Sequence, residues 1–236
     1  MKDLEKAIKK EQEYLSYRMK GEEPFHFIDA VKECGFESID EYFKAKKLQK
    51  FQALSFEKIE TNPLEAISKV LEVIRDKKTA VLFADTLFTI VWNGNGSEYN
   101  KEYCIEHGIP VLPLQTGGGT IVSTKGDLNI GICFPRDSEY RSSDILNGFA
   151  NIFRKYTNKT VEVQGNDVII DGYKVMGSSV YNNKQMLMFI TPVSMSDKSE
   201  IIENVCLKQS KKIPGYIDFM SNEELRQEVA EWLLIQ

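Results

Sequence analysis

The sequence has few histidines, no closely spaced cysteines and no long apolar run. With only His26 and His107, histidine-based catalysis is disfavoured. The four cysteines are widely separated and form no Cys-x-x-Cys pair, which argues against the common zinc motifs and against a dense disulfide framework. No apolar stretch approaches the roughly 20 residues that span a bilayer. These absences favour a globular protein with free thiols.

The chain is acidic overall, with a formal net charge of −5 at pH 7. A negative total disfavours general nucleic-acid binding, because attraction to phosphate dominates such binding. The first residues are charged and contain no apolar signal core. We therefore expect a cytoplasmic protein with no membrane or nucleic-acid partner. The oligomeric state is not indicated by the sequence.

The amino-terminal segment is predicted to be helical. Helices are expected near the start of the chain, over residues 27–34, and from Ser38, where Ser38 and Glu41 have the spacing of a capping box. Gly35 between the last two helices gives a helix-turn-helix pattern, which is compatible with DNA binding. Residues 1–62 carry slightly more acidic than basic side chains. Packing or contact with a partner protein is therefore the favoured interpretation.

The rest of the chain alternates short apolar runs with helical patterns. A helix is expected to start at Asn62-Pro63 and to bury Leu64. Later helices are predicted over residues 142–156 and 221–234. Strands are predicted at residues 81–84, 87–92, 109–114, 121–122, 128–134, 161–163, 168–170 and 186–195. Because strands come in pairs with helices inserted between them, the sequence predicts an α+β fold with a mixed β-sheet flanked by helices.

Two elements carry the functional signal. Residues 117–119 are consecutive glycines, whose backbone N–H groups can approach an anion or a flat ligand closely. Asp171-Gly172 is a tight-hairpin signal that places Lys174 at the start of the returning strand. A flexible ammonium beside a glycine-rich loop suits a phosphate or an activated carboxylate. Each element also has a plain interpretation, as a tight connection and as a solvated surface lysine.

In their order along the chain, these elements resemble the lipoate-protein ligase and octanoyltransferase family, within the biotin/lipoate A/B protein ligase superfamily. The shared order is a helix from Asn62-Pro63, a strand and turn over residues 89–95, the glycine triplet, and a Lys-x-x-Gly-Ser element at residues 174–178. The resemblance implies a class II biotin/lipoate ligase-like catalytic domain at residues 59–236. A helical N-terminal extension at residues 1–58 precedes it.

The resemblance implies an acyl ligase or acyltransferase. In that family the carboxylate of lipoate or octanoate attacks the α-phosphorus of ATP, which gives an acyl-adenylate and pyrophosphate. A lysine of a lipoyl-domain acceptor protein then takes the acyl group as an amide. Both steps need charge neutralised at phosphate and carbonyl oxygens while water is excluded. ATP, magnesium, and lipoate or octanoate are the implied ligands.

The resemblance also implies roles for particular residues. Lys174 is the implied catalytic residue and would serve both reacting centres. Asp127, which follows Gly126, is implied to hold a magnesium ion, although the pair is also the pattern of a plain turn. The implied substrate-binding and nucleotide-binding residues are Asn95, Thr116, Gly117, Gly118, Gly119, Asp127, Gly177 and Ser178.

The chain departs from the family pattern around the glycine triplet. Pro113-Leu114 stands where the family has two arginines, Ser123 stands where it has a histidine, and Thr124 stands where an aspartate often follows. These departures support an alternative hypothesis. In that hypothesis the chain is a catalytically degenerate ligase-fold protein that binds a small molecule or a partner protein.

Two further groups of residues have a plain interpretation. Cys133 lies in an apolar strand and Cys206 has no histidine nearby in sequence, so both are predicted to be structural thiols rather than nucleophiles. Lys208, Lys211 and Lys212 form a small basic cluster that suits an acidic lipoyl domain. A solvated face is the simpler interpretation of that cluster.

Overall fold

The computed structural model describes residues 2–22, 25–52, 54–62, 64–75, 78–94, 98–114, 119–135, 140–182, 184, 186–207 and 212–233. The chain divides into two compact units, Met1–Leu54 and Ser55–Gln236. The predicted boundary after residue 58 falls inside the first strand, β1 (Phe56–Thr61). The assignment of the two parts as an extension and a catalytic domain stays a prediction.

The first unit contains the helices α1 (Leu4–Met19), α2 (Phe27–Glu33) and α3 (Ile39–Gln52). At the start of α3 the Ser38 hydroxyl accepts a hydrogen bond from the Glu41 N–H at 3.1 Å, as a cap does. The Glu41 carboxylate accepts from the N–H of Glu37 at 2.7 Å. The predicted pair therefore caps the helix, with the glutamate reaching one residue further back than in the standard box.

A small aromatic core holds the first unit together. The rings of Phe27 and Phe36 meet the Tyr42 ring edge-on, with centroids 5.8 and 5.7 Å away. Tyr42 is fully buried and its hydroxyl donates to Glu11 at 2.6 Å. Burial, and then the contact with Glu11, raise the pKa of Tyr42. The buried hydroxyl thus has a hydrogen-bond partner.

The second unit starts with β1 and contains a further series of helices and strands. These are α4 (Ala66–Arg75), β2 (Thr79–Asp85), β3 (Ile90–Gly94), α5 (Lys101–Glu106), β4 (Val111–Leu114), β5 (Thr120–Ser123), β6 (Leu128–Pro135), α6 (Ser142–Tyr156), β7 (Val161–Gln164), β8 (Asp167–Ile170), β9 (Tyr173–Gly177), β10 (Ser179–Asn182), β11 (Met186–Val193), α7 (Ser199–Val205), β12 (Ile213–Pro214) and α8 (Asn222–Leu233).

The main sheet has the strand order β1-β2-β6-β11-β9-β8-β7, with β10 paired to β11 and β12 paired to β9. Strand β6 runs antiparallel to both β2 and β11, whereas β1 pairs with β2 in parallel. A separate three-stranded sheet has the order β4-β3-β5. Parallel and antiparallel pairs occur together, so the predicted α+β fold with a mixed sheet is confirmed.

Helices cover the main sheet and close its core. Helix α6 buries Ile145, Phe149 and Phe153 completely, and α4 packs on β2 and β6. Helix α8 meets α6 at Gly148, where a Cβ atom would lie only 2.0 Å from the Trp232 ring. The glycine therefore leaves the space that the indole fills. In the described part of the chain, no helix is long and apolar enough to cross a membrane.

The hairpin between β8 and β9 sets the position of Lys174. Asp171 and Gly172 both have positive φ, 49° and 86°, which is the conformation of a two-residue type I′ turn. Ile170 pairs with Tyr173 across this turn. Lys174 is therefore the second residue of β9, and the predicted hairpin is confirmed.

Candidate active site

Lys174 is held on both sides by neighbouring strands. It pairs with Ile169 of β8, and its carbonyl oxygen accepts from the N–H of Gly215, after β12, at 2.8 Å. Its Nζ lies 2.8 Å from Oδ1 of Asp167, and 38% of its side chain is exposed. The ammonium is thus fixed by the sheet and remains accessible to a ligand.

The other carboxylate oxygen of Asp167 accepts a hydrogen bond from a second lysine, Lys212. The Nζ of Lys212 lies 2.7 Å from Oδ2 of Asp167 and also donates to the Gln164 carbonyl at 2.7 Å. Burial by itself raises the pKa of Asp167, but hydrogen bonds from Lys174 and Lys212 outweigh that effect and lower it below its usual range. One ionised carboxylate therefore lies between two ammonium groups.

Gly177 leaves the room that this cluster needs. A Cβ atom at this position would lie 3.2 Å from Oδ1 of Asp167 and 3.3 Å from Nζ of Lys174. The next residue, Ser178, donates its N–H to Asn166 O at 2.7 Å. The hydroxyl oxygens of Ser178 and Ser179 are buried, and the described residues offer them no hydrogen-bond partner. Buried hydroxyls without a partner are uncommon in folded proteins.

The Asp127 carboxylate is buried and has several hydrogen-bond donors within the protein. Its side chain accepts from the N–H groups of Thr124 at 2.8 Å and Met195 at 2.9 Å, and from Nζ of Lys198 at 2.6 Å. Only 2% of the Asp127 side chain and 9% of the Lys198 side chain are exposed. The ammonium thus stands where a bound cation would be expected, so the arrangement does not fit a magnesium ligand. The metal role of Asp127 stays a prediction.

The two polar groups are connected through the end of β11. Met195, which donates to Asp127, follows Ser194, whose N–H donates to the carbonyl of Val175 beside Lys174 at 2.9 Å. Among the described residues, no group of three or more His, Cys, Asp or Glu side chains is placed to hold a metal ion. The structure thus brings Lys174 and Gly177 together and places Asp127 on an adjoining segment.

The glycine triplet is only partly described. Gly119 lies directly before β5, with open space where a Cβ atom would be. Asn95, Thr116, Gly117 and Gly118 fall outside the described residues. Their predicted contacts with substrate and nucleotide stay predictions.

An apolar pocket lies near the start of α4. It has a volume of about 240 Å³ and is lined by Asn62, Leu64, Glu65, Leu87, Phe88 and Ile90. The prediction that Leu64 is buried was wrong, because α4 begins only at Ala66 and Leu64 lies in the turn before it, 59% exposed. Asn62 Oδ1 accepts from the N–H of Leu64 at 3.0 Å and so holds that turn.

The thiols have the environment of structural cysteines. Cys133 is fully buried in β6, and burial raises the pKa of its thiol well above the usual value. Burial, and then the neighbouring Cys104, raise the pKa of the Cys206 thiol. A raised pKa opposes formation of the nucleophilic thiolate. This agrees with the structural role predicted for both residues.

The chain matches a known family over most of its second unit. The sequence model of the lipoyl protein ligase A/B catalytic domain matches residues 88–220, which is more than half of the 236 residues. The chain belongs to this family. Lys174, Asp167 and Lys212 all lie within the matched region of this lipoyl protein ligase A/B member.

Solved structures show the same fold. LipL1 of Plasmodium falciparum in complex with lipoate matches with a TM-score of 0.64 at 14% identity, over 74% of this chain and 58% of that one. This chain thus spans less than two thirds of that protein. The bipartite lipoate protein ligase of Thermoplasma acidophilum, described with its E2 lipoyl domain, matches with a TM-score of 0.61 at 17% identity, over 76% and 82% of the two chains.

A lipoate-protein ligase A bound with ATP matches with a TM-score of 0.58 at 15% identity, over 76% of this chain and 82% of that one. At such identities the likeness concerns the fold. No curated protein sequence matches this chain.

Sequence reasoning missed three residues of the site region. Asp167 could have been found from the predicted hairpin, because that hairpin pairs its strand with the strand of Lys174. Lys212 was assigned to a basic surface cluster, and nothing in its local pattern points to Asp167. Lys198 follows β11 in a loop, so its contact with Asp127 depends on tertiary structure alone.

The lowered pKa of Asp167 predicts a pH dependence. A carboxyl whose pKa is lower in the folded state stabilises the protein fully above its unfolded pKa, and this contribution is lost as pH falls through the folded pKa. We expect the difference in unfolding free energy between the wild type and Asp167→Asn to be largest above about pH 5 and to shrink at lower pH. Urea unfolding from pH 7 to pH 3 measures it. A difference that stays constant over this range would contradict the prediction.

Proposed function

We propose that this chain activates a lipoyl or octanoyl carboxylate with ATP and transfers the acyl group to a lysine of a lipoyl-domain protein. The observation that carries the proposal is the accessible ammonium of Lys174, fixed on β9 within the region that matches the family. The archaeal ligase described with its E2 lipoyl domain supports a lipoyl domain as the acceptor. A cytoplasmic location is part of the proposal.

In the first proposed step, a carboxylate oxygen of the acyl substrate forms a bond to the α-phosphorus of ATP. The bond from that phosphorus to the bridging oxygen of the leaving pyrophosphate breaks. Negative charge on the α-phosphate oxygens rises as the bonds exchange, and a fixed cation beside them lowers the barrier. Lys174 is the proposed cation, with Gly177 leaving room for its ammonium.

In the second proposed step, the neutral amine of the acceptor lysine attacks the acyl carbonyl of the adenylate. AMP leaves with the electron pair of the broken carbon–oxygen bond, and the amine loses its proton as the amide forms. Lys174 neutralises charge on the departing phosphate. Ser178 is proposed to donate a hydrogen bond there, because it ends the Lys-x-x-Gly-Ser element at residues 174–178. Gly119, Asn95, Thr116, Gly117 and Gly118 remain the proposed backbone and polar contacts of the nucleotide.

We assign the aliphatic tail of the substrate to the apolar pocket before α4. Its lining includes Leu64, Leu87, Phe88 and Ile90, and apolar side chains favour a hydrocarbon over water. Its volume of about 240 Å³ is somewhat below the range of drug-sized sites, about 300–1,000 Å³. A medium-length acyl chain is smaller than such ligands. A magnesium ion, where it takes part, is proposed to arrive with the ATP phosphates.

The experiment combines the purified chain with ATP, a lipoyl domain, and either lipoate or octanoate. We expect pyrophosphate release that depends on the acyl acid, and a mass increase of the lipoyl domain by one acyl group. A lipoyl domain with its acceptor lysine replaced by arginine is the control and should not gain mass. If neither pyrophosphate nor acylated domain forms with either acid, the chain is the catalytically degenerate protein of the alternative hypothesis.

A matched pair of variants tests the pocket in the same assay. Leu87→Asp places a charge in the pocket, whereas Ile105→Asp changes a comparably exposed residue outside its lining; the two side chains are 61% and 70% exposed. We expect Leu87→Asp to raise the KM for the acyl acid about tenfold or more and Ile105→Asp to leave it unchanged. Equal effects of the two variants on the KM for the acyl acid would show that the acyl tail does not bind in this pocket.

A further inference from the structure

Lys212 and Lys174 approach the same carboxylate from distant parts of the chain. We propose that Lys212 is a second cationic residue of the nucleotide site, held beside Lys174 by Asp167, and that the two ammonium groups together receive phosphoryl oxygens. This inference rests on the proposed function, because it assigns the nucleotide phosphates to the lysine pair. It adds a residue that the sequence placed on a solvated face.

The charges of Lys174, Asp167 and Lys212 favour the binding of an anion. Lys174 and Lys212 each donate to a different oxygen of Asp167, at 2.8 and 2.7 Å. Two ammonium groups on one carboxylate repel each other, and these three side chains together carry one net positive charge. A phosphoryl group with several oxygen acceptors relieves this repulsion and binds both cations at once.

The contact between Asp127 and Lys198 shows what a structural ion pair looks like in this chain. There, one lysine meets one carboxylate, and both side chains are almost fully buried. In the Asp167 cluster, by contrast, 38% of the Lys174 side chain and 30% of the Lys212 side chain are exposed. Lys174, Lys212 and Asp167 thus carry a net positive charge and are partly open to a ligand.

The main sheet fixes Lys212 relative to Lys174. Strand β12, which begins directly after Lys212, runs parallel to β9, with Ile213 opposite Tyr173 and Pro214 opposite Lys174. Gly215 permits this approach, because a Cβ atom there would lie 2.6 Å from the Cβ of Tyr173. A cation positioned by strand pairing requires little rearrangement when an anion binds, which is the condition for effective electrostatic stabilisation.

Calorimetric titration with pyrophosphate, at constant low salt, tests the inference. The proteins are the wild type, Lys212→Met, Lys212→Arg and Lys155→Met, a control that removes a lysine paired with Glu228 on other elements. We expect Lys212→Met to weaken pyrophosphate binding about tenfold or more. Lys212→Arg should stay within about threefold of the wild type, because it keeps the charge, and Lys155→Met should bind as the wild type does. Thermal unfolding verifies that each variant is folded.

Wild-type affinity in folded Lys212→Met, or no pyrophosphate binding by the wild type, overturns the inference. Formation of lipoyl-adenylate, followed separately, reports on the proposed function. Pyrophosphate binding that depends on Lys212, without adenylate formation, would retain the anion site and reject the ligase function. Adenylate formation by Lys212→Met with the wild-type KM for ATP would retain the function and reject the role of Lys212.

Discussion

Replacement of Lys174 by alanine is expected to lower the rate of acyl-adenylate formation by about 100- to 1,000-fold, the usual cost of removing one fixed group that stabilises transition-state charge. The ammonium of Lys174 is exposed to ligand and held by Asp167, so its loss removes charge stabilisation and leaves the sheet intact. Pyrophosphate release under single-turnover conditions measures the rate.

The same replacement should have little effect on folding. The Lys174 side chain is partly exposed, and ion pairs of that kind contribute only about 0–1 kcal/mol. Lys155→Ala removes a lysine of another ion pair, with Glu228, and should keep the wild-type rate. A Lys174→Ala rate within about threefold of the wild type would remove this residue from the catalytic site.

Replacement of Asp127 by alanine is expected to lower the free energy of unfolding by about 3–5 kcal/mol, the typical cost of breaking a buried ion pair on one side. The change leaves the almost fully buried Lys198 ammonium without its carboxylate. It also leaves the N–H groups of Thr124 and Met195 without their acceptor. Urea unfolding followed by circular dichroism measures the loss.

Two further variants show whether the loss comes from the buried charge. Asp218→Ala breaks an exposed pair, with Lys159 at 3.7 Å, and should cost less than about 1 kcal/mol. Adding Lys198→Met to Asp127→Ala should recover part of the stability, because no unpaired ammonium then remains. Equal losses for Asp127→Ala and Asp218→Ala would contradict the structural role. A rise in wild-type stability with magnesium that disappears in Asp127→Ala would instead support the predicted metal site.

The elements predicted from local pattern agree well with the structure. The helix over residues 142–156 has the observed bounds of α6, because its apolar residues repeat with the helical period and Tyr156 precedes an extended segment. The hairpin at Asp171-Gly172 was also predictable, since few other residue pairs adopt positive φ so readily. Strand β3 was placed too early, because Leu87 and Phe88 are apolar but lie exposed before it. Both residues line the apolar pocket before α4. A pattern of apolar residues does not distinguish the lining of a pocket from a buried strand.

The candidate site was predictable only in part. The family resemblance and the hairpin together indicate Lys174 and its place at the start of a strand. The partners of Lys174 were not indicated, because Lys212 is separated from its strand by two further strands, a helix and their connections. Asp127 likewise has the local pattern of a turn residue. The lysine that pairs with its carboxylate, Lys198, lies about 70 residues later in the chain.

Local sequence therefore predicts the longer helices, most strands, the hairpin and the family of this protein, since each depends on periodicity, turn chemistry or short motifs within a few residues. The short elements α5, α7, β10 and β12, and strand β1, were not predicted. Tertiary structure decides which charges meet. The Lys198 ammonium is paired with Asp127 in a buried contact, whereas Lys212 shares the Asp167 carboxylate with Lys174 at a partly exposed position, which is the basis of its proposed role. That difference depends on burial and on long-range strand pairing, neither of which is encoded in any one segment of the chain.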